Sequence, residues 1–216
     1  MNQDYYNEKK SKYHLSGGRE IILRKLIPAH AKTVLDIGCG SGELAKLLHE
    51  QGKQVWGADI SLKALEDAKP YLAGSYCFDI QDKTWPTELM TQKFDVVVAS
   101  EVIEHIFTPS KFLAQVKKIL APGGSIVITT PNILFWKNRL RILGGSFRYT
   151  EKGIMDFGHI RLFTIDTLRE LFEKAGFEID KEQHFYPNLY NRGLNFLGAM
   201  FPGVFAYQFG IKATSR

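Results

Sequence analysis

The sequence VLDIGCGSGELAKLL, residues 34–48, decides the fold class. Its first half is a short apolar run typical of a buried strand, and its second half has the spacing of an amphipathic helix. Gly38, Gly40 and Gly42 lie between them, where glycine allows a sharp turn and a close approach of the backbone to a ligand. Asp36 stands just before this turn, where a carboxylate would repel a pyrophosphate. The stretch therefore predicts a strand, turn and helix that bind a ligand carrying positive charge.

Two further acids follow at the predicted ends of the next two strands. Asp59, in GADIS, lies 23 residues beyond Asp36 and can hold both hydroxyls of a ribose. Asp79, in CFDIQD, can meet an adenine edge. Taken singly, Asp59 could cap a helix, Asp79 could lie in a solvated turn, and the glycine turn also occurs in NAD(P)-binding folds. Together the three positions favour a nucleoside ligand.

The rest of the chain alternates between strand and helix patterns, which predicts a mainly parallel sheet with helices on both faces. We predict a single domain over residues 1–216, with a helical lead-in at 1–30. The alternation is interrupted at 132–163, and we expect this insertion and the 186–203 loop to form a cap over the acceptor site. The predicted strands are 33–37, 55–60, 75–80, 94–99, 125–130, 177–185 and 204–211, and the predicted helices are 19–29, 43–51, 61–72, 110–120, 133–143 and 164–175.

The charge and the cysteine content of the chain indicate which partners and which compartment to expect. The 216 residues carry a formal net charge of +5, with four cations and no acid between residues 133 and 150. The segment ILFWKNRLRIL, 133–143, reads as a basic amphipathic helix that either packs on the domain or touches a membrane surface peripherally. No RNA-recognition module is evident, so a nucleic-acid partner is not favoured. The two cysteines, Cys39 and Cys77, cannot form a disulfide framework, which favours the cytoplasm.

The motifs VLDIGCGSG, GADIS, CFDIQD, FDVVVASEVIEHI and LAPGGSIVITTPN together resemble class I S-adenosylmethionine-dependent methyltransferases over roughly residues 30–185. The resemblance implies a Rossmann-like α/β fold with a seven-stranded, mostly parallel sheet and one antiparallel strand. It implies S-adenosylmethionine as donor and S-adenosylhomocysteine as product. The cofactor contacts that it implies are Asp36, Gly38, Cys39, Gly40, Gly42, Asp59, Ile60, Asp79, Ile80 and Ser100.

The segment SEVIEHIFTP, which leaves the fourth strand, supplies the candidate catalytic residues. His105 is a natural general base for a hydroxyl acceptor, and Glu101 would share a face with it if the segment were helical. Glu101, Glu104 and His105 with the distant His159 also form a set that suits a divalent metal. Alternatively, the glutamates cap or solvate a short helix and His105 lines the pocket.

The E-x-x-E-H pattern with a later histidine resembles small-RNA 2′-O-methyltransferases and ubiquinone-pathway O-methyltransferases. The chain departs from the RNA enzymes in GHIRLFT, which lacks their second downstream histidine. We therefore expect O-methylation of a small-molecule, saccharide or lipid-linked acceptor. An RNA 2′-O-methyltransferase that uses a metal at Glu101, Glu104, His105 and His159 is the alternative, and an NAD(P)-binding oxidoreductase is a more remote one.

Overall fold

The computed structural model describes residues 17–187 and 195–216. Seven strands form one sheet in the order β3-β2-β1-β4-β5-β7-β6, in which β7 alone runs antiparallel to its neighbours β5 and β6. This arrangement confirms the predicted fold class. The strands are β1 (Thr33–Ile37), β2 (Gln54–Asp59), β3 (Gly74–Cys77), β4 (Phe94–Ser100), β5 (Leu120–Pro131), β6 (Phe177–Phe185) and β7 (Gln208–Ser215).

Helices cover both faces of this sheet, as the alternating pattern predicts. They are α1 (Gly17–Leu26), α2 (Glu43–His49), α3 (Leu62–Ala68), α4 (Thr87–Met90), α5 (Pro109–Ile119), α6 (Trp136–Leu143), α7 (Ile165–Lys174), α8 (Asn195–Met200) and α9 (Pro202–Phe205). Ser61 caps α3 by accepting from the amide of Ala64, and Thr164 caps α7 by accepting from the amide of Thr167. Both caps satisfy amides that a helix cannot pair internally.

The central strand β4 shows why the sheet lies in the middle of the molecule. Val96 and Val98 pack into a cluster with α1 and α2, whereas Val97 and Ala99 pack into a cluster with α5 and α7. Alternate side chains of a strand point to opposite faces, so a strand that is apolar throughout needs a cover on each side. In the sheet, β2 and β3 lie on one side of β1, whereas β4 and the later strands lie on its other side. This reversal opens a crevice at the carboxyl ends of β1 and β4.

Helix α7 is also tied to β6 by an ion pair. The guanidinium of Arg169 donates two hydrogen bonds of 2.7 Å to the two carboxylate oxygens of Glu182. Although burial alone would raise the pKa of Glu182, hydrogen bonds from His184 and Arg169 lower it to about 2. The pair therefore stabilises the fold while the carboxylate is ionised.

Several predictions of local structure differ from the observed elements, and three of them bear on the site. The last strand begins at Gln208 rather than near residue 204, because Pro202–Phe205 forms a helical turn first. Strand β3 ends at Cys77, so Asp79 lies in the following turn and not at the strand end. Residues 101–105 form no α-helix, and only Ile103–His105 makes a 3₁₀ turn. In the described part of the chain, no helix combines the length and apolar character needed to cross a membrane.

Candidate active site

A cavity of about 390 Å³ lies in the crevice at the carboxyl ends of the parallel strands. Nine of the ten predicted cofactor residues line it, together with both predicted catalytic residues. These are Asp36, Gly38, Cys39, Gly40, Asp59, Ile60, Asp79, Ile80, Ser100, Glu101 and His105. The structure thus gathers residues from four strand ends around one space, as the switch in strand order requires.

Gly42, the tenth predicted residue, does not line the cavity. It has a φ of 82° at the N-cap of α2, and a Cβ atom there would lie 2.7 Å from the Cβ of Ala68 in α3. Gly38 has a φ of 72°, and its Cβ would lie 2.6 Å from a methyl carbon of Val102. Gly38 is therefore required where the turn meets the cavity, whereas Gly42 is required for helix packing.

Asp59 organises the glycine turn. Its side chain is buried, and its two carboxylate oxygens accept hydrogen bonds from the amides of Gly40 and Ser61 at 3.0 and 2.9 Å. The carboxylate thereby connects the turn after β1 with the start of α3. Carboxylate oxygens have further lone pairs, so Asp59 can still accept from a ligand hydroxyl.

Glu101 occupies a strained position immediately after β4. Its φ of 57° is in the left-handed region, which costs a residue with a Cβ about 1 kcal/mol or more. This backbone turns the chain out of β4, so the segment is not an α-helix and the condition for a face shared by Glu101 and His105 is not met.

The carboxylate of Glu101 is held inside the cavity wall. Its Oε1 accepts a hydrogen bond of 3.0 Å from Thr129, whose hydroxyl also lies 2.8 Å from that of Ser100. Burial raises the pKa of Glu101, against the lowering effect of the charge of Arg19 and of hydrogen bonds from Gln208 and Thr129.

Glu104, His105 and His159 form a compact cluster beside the cavity. One potential ligand atom from each side chain lies within 4.8 Å of the other two. His105 Nδ1 lies 2.7 Å from the carbonyl oxygen of Gly158, and His159 Nδ1 lies 3.0 Å from that of Ile154. A carbonyl can only accept, so each Nδ1 carries a proton, and in the neutral imidazole Nε2 keeps the lone pair.

The chemistry of this cluster fits a divalent cation. Oε1 of Glu104 is buried, has no hydrogen-bond partner among the described residues, and lies 3.9 Å from His159 Nε2. Burial, and then the neighbouring charge of Glu101, raise the pKa of Glu104 well above its usual value. A buried carboxylate oxygen without a donor is unfavourable unless a cation or proton occupies its lone pair. Glu101, the fourth residue of the predicted set, is bonded to Thr129 instead.

Several cavity residues were not predicted from the sequence. Arg19 of α1 is the only Lys or Arg side chain among the described residues that line the cavity. Tyr207 and Gln208 enter from the start of β7, and burial raises the pKa of Tyr207. The only feature of the sequence that pointed to Arg19 was its place on a predicted amphipathic helix. No feature of the sequence pointed to Gln208.

Comparison with known proteins decides the family. Residues 13–182 match the family model described as a methyltransferase domain. The chain belongs to this methyltransferase family. The match confirms the predicted class and its cofactor, S-adenosylmethionine, and favours methyl transfer over NAD(P)-dependent oxidation.

The chain is similar to a ubiquinone biosynthesis O-methyltransferase of Cereibacter sphaeroides, with 31% identity over 156 residues. This match covers 70% of the chain and 62% of the relative, so it spans less than two thirds of that protein.

Solved structures share the fold. An S-adenosylmethionine-dependent methyltransferase from Archaeoglobus fulgidus superposes with a TM-score of 0.67 at 22% identity, covering 97% of this chain and 99% of that one. The magnesium protoporphyrin IX methyltransferase of Synechocystis, solved with bound S-adenosylhomocysteine, superposes with a TM-score of 0.66 at 16% identity. This match covers 99% of this chain and 98% of that one.

Proposed function

We propose that this chain transfers a methyl group from S-adenosylmethionine to a hydroxyl group of a small-molecule, saccharide or lipid-linked acceptor. The supporting observation is that one cavity contains both the carboxylates predicted to bind the nucleoside and the imidazole of His105. The O-methyltransferase named above, similar over 70% of the chain, supports oxygen as the methylated atom.

The cofactor is proposed to bind along the carboxyl ends of β1 and β2. Asp59 would hold the ribose hydroxyls, and Asp79 with Ile80 would meet the adenine. Asp36 and the glycine turn would lie against the positively charged methionine end. Arg19 supplies the positive charge that the carboxylate of that same end requires.

His105 is proposed as the general base. The hydrogen bond from Nδ1 to Gly158 directs the Nε2 lone pair toward a proton acceptor role. As the acceptor oxygen attacks the methyl carbon, the carbon–sulfur bond breaks, its electron pair stays on sulfur, and the hydroxyl proton moves to Nε2. The carboxylates of Glu101 and Glu104 would stabilise the positive charge that His105 gains in this transfer.

Glu104, His105 and His159 would also hold a divalent metal. A metal bound there would lower the pKa of the acceptor hydroxyl. The two roles of His105 exclude each other, because Nε2 cannot accept a proton and ligate a metal at once. The RNA 2′-O-methyltransferase alternative would use the same cluster, and the small-molecule relative disfavours it.

The insertion at 132–163 is proposed to close the acceptor site, since its residues Gly153, Asp156 and His159 line the cavity. Of the 186–203 loop, residues 188–194 lie outside the described structure, so its predicted part in the cap remains a prediction.

The test is methyl transfer from S-adenosylmethionine to a panel of catechol, phenol and sugar hydroxyls, followed by product mass and by release of S-adenosylhomocysteine. His105→Ala should lower turnover at least about hundredfold and leave product affinity within threefold. Loss of wild-type activity in EDTA, restored by one divalent metal, would assign His105 as a ligand. Full activity of His105→Ala on the true acceptor would contradict both roles.

A further inference from the structure

The outer side of the 132–163 insertion exposes an unusually apolar surface. Leu143 is 83% exposed, Phe157 61%, Leu140 59% and Phe147 54%. Leu140 and Leu143 lie on α6, and the aromatic residues lie on the segment that follows it. We name this surface, formed by α6 and residues 146–157, the outer face.

The aromatic side chains of the outer face are held in place. The ring of Tyr149 contacts that of Phe147 at a centroid distance of 6.0 Å and stacks on that of Phe157 at 6.1 Å. The backbone beneath is a loop closed by an isolated parallel bridge, in which the amide of Thr150 donates to the carbonyl of Met155 and the amide of Phe157 donates to that of Thr150. This loop, residues 146–157, therefore presents the rings to solvent on a hydrogen-bonded backbone.

The outer face is also positively charged. It contains five cations, Lys137, Arg139, Arg141, Arg148 and Lys152, against two acids, the exposed Glu151 and the buried Asp156. Arg139 is used internally, since it donates to the carbonyls of Leu134 and Gly203. The other four cations are exposed.

A second cavity, of about 220 Å³, opens on this face between α6 and the 146–157 loop. Arg141 and Arg148 line it with the hydroxyl residues Ser146 and Thr150, and no carboxylate lies among its described lining residues. Ile142, Phe147 and Met155 form its apolar walls. Paired guanidiniums beside hydroxyl groups suit a phosphate, and the apolar walls suit the chain attached to it.

We propose that the outer face docks on an anionic phospholipid bilayer, with a lipid phosphate between Arg141 and Arg148. Exposed leucines and aromatic rings insert favourably at the boundary between headgroups and acyl chains, and nearby cations are attracted to anionic lipid. Nucleic acid would satisfy the cations but would leave Leu140 and Leu143 exposed to water. The combination of charges and aliphatic side chains favours the bilayer.

Docking would bring the active site to the membrane surface. The 146–157 loop carries the aromatic side chains of the outer face, and its residues Gly153 and Asp156 also line the main cavity. The carbonyl oxygen of Gly158, the first residue after this loop, is hydrogen-bonded to Nδ1 of His105. This inference rests on the proposed function. An active site at the membrane surface favours an amphiphilic, lipid-linked acceptor.

Sedimentation with vesicles tests the docking without any assay of activity. The full chain should bind vesicles of phosphatidylcholine with phosphatidylglycerol and should bind phosphatidylcholine alone much more weakly. Arg141→Gln with Arg148→Gln should reduce partitioning about thirtyfold, roughly fivefold for each cation. Leu140→Ser with Leu143→Ser should reduce it by at least about tenfold even at low salt.

Matched controls separate this face from general charge and hydrophobicity. Lys63→Gln with Lys111→Gln removes two exposed cations elsewhere, and Leu62→Ser removes a leucine that is 54% exposed on α3. Both controls should bind vesicles as the wild type does.

All variants should keep their thermal stabilisation by S-adenosylhomocysteine, which reports on the cofactor site independently. The proposal is overturned if the wild type does not bind anionic vesicles, or if the controls lose binding as much as the outer-face variants do. It is also overturned if the outer-face substitutions weaken the binding of single-stranded RNA while vesicles do not bind.

Discussion

Replacing Asp59 by alanine is expected to weaken the binding of S-adenosylhomocysteine by at least about hundredfold. Asp59 is buried at the end of β2 and lines the main cavity. In the proposed complex its carboxylate accepts two hydrogen bonds from the ribose. Hydrogen bonds to a charged acceptor contribute about 1.5–3 kcal/mol each, so losing both corresponds to roughly 3 kcal/mol or more.

The same substitution should also destabilise the ligand-free protein. Without Asp59, the amides of Gly40 and Ser61 lose the acceptors that they contact at 3.0 and 2.9 Å. Leaving two amides without these bonds costs about 2 kcal/mol, which lowers the melting temperature of a domain of this size by roughly 4–8 °C. Asp59→Asn keeps one carbonyl oxygen, and it should lie between alanine and the wild type in both measurements.

Isothermal titration calorimetry with S-adenosylhomocysteine measures the affinity, and differential scanning calorimetry measures the stability. Asp67→Ala, on the exposed side of α3, is the matched control and should change neither by more than experimental error. A dissociation constant for Asp59→Ala within threefold of the wild type would refute the assignment of Asp59 to the ribose.

The remaining predictions concern the turn, the ion pair and the cavity cation. Gly38→Ala should abolish measurable binding of the cofactor, because the new Cβ would clash with Val102 and the φ of 72° is unfavourable for alanine. Gly52→Ala is the control, since its φ is 77° but the space around it is open. It should cost only about 1 kcal/mol of stability and leave the affinity for the cofactor unchanged. The pKa of Glu182 is about 2, so its stabilisation is present above about pH 4.5 and is lost as the pH falls toward 2. Glu182→Gln should therefore remove roughly 1–2 kcal/mol at pH 7 and much less near pH 2, as urea unfolding at both pH values can show. Arg19→Gln should weaken the binding of S-adenosylhomocysteine about tenfold in calorimetry, and it should also lower the unfolding midpoint, because the charge of Arg19 stabilises the ionised form of the buried Glu101. An unaltered affinity would contradict the placement of Arg19 at the methionine end.

Local patterns predicted most of the architecture. The apolar run of β4 indicated a strand covered on both faces, and its side chains do divide between two clusters. The caps at Ser61 and Thr164 are of the same local kind, because a cap depends on residues within three positions along the chain. The boundary of β7 was not predictable in this way, since a helical turn at Pro202–Phe205 replaced the expected start.

The site was predictable only where it follows strand ends. Asp36, Gly38 and Asp59 meet in the cavity because parallel strands bring their carboxyl ends to one edge of the sheet. The left-handed backbone of Glu101 gave no sequence signal, and it removed the helical face on which its pairing with His105 was based.

By itself, the sequence determined the strand and helix order, the glycine turn and the identity of the acids beside it, because each depends on residues close together in the chain. Only the tertiary structure brought His159 against Glu104, placed Arg19 of α1 in the cavity and left Leu143 on the surface. Those contacts join residues distant in sequence, and their positions follow from how the helices and the insertion pack on the completed sheet.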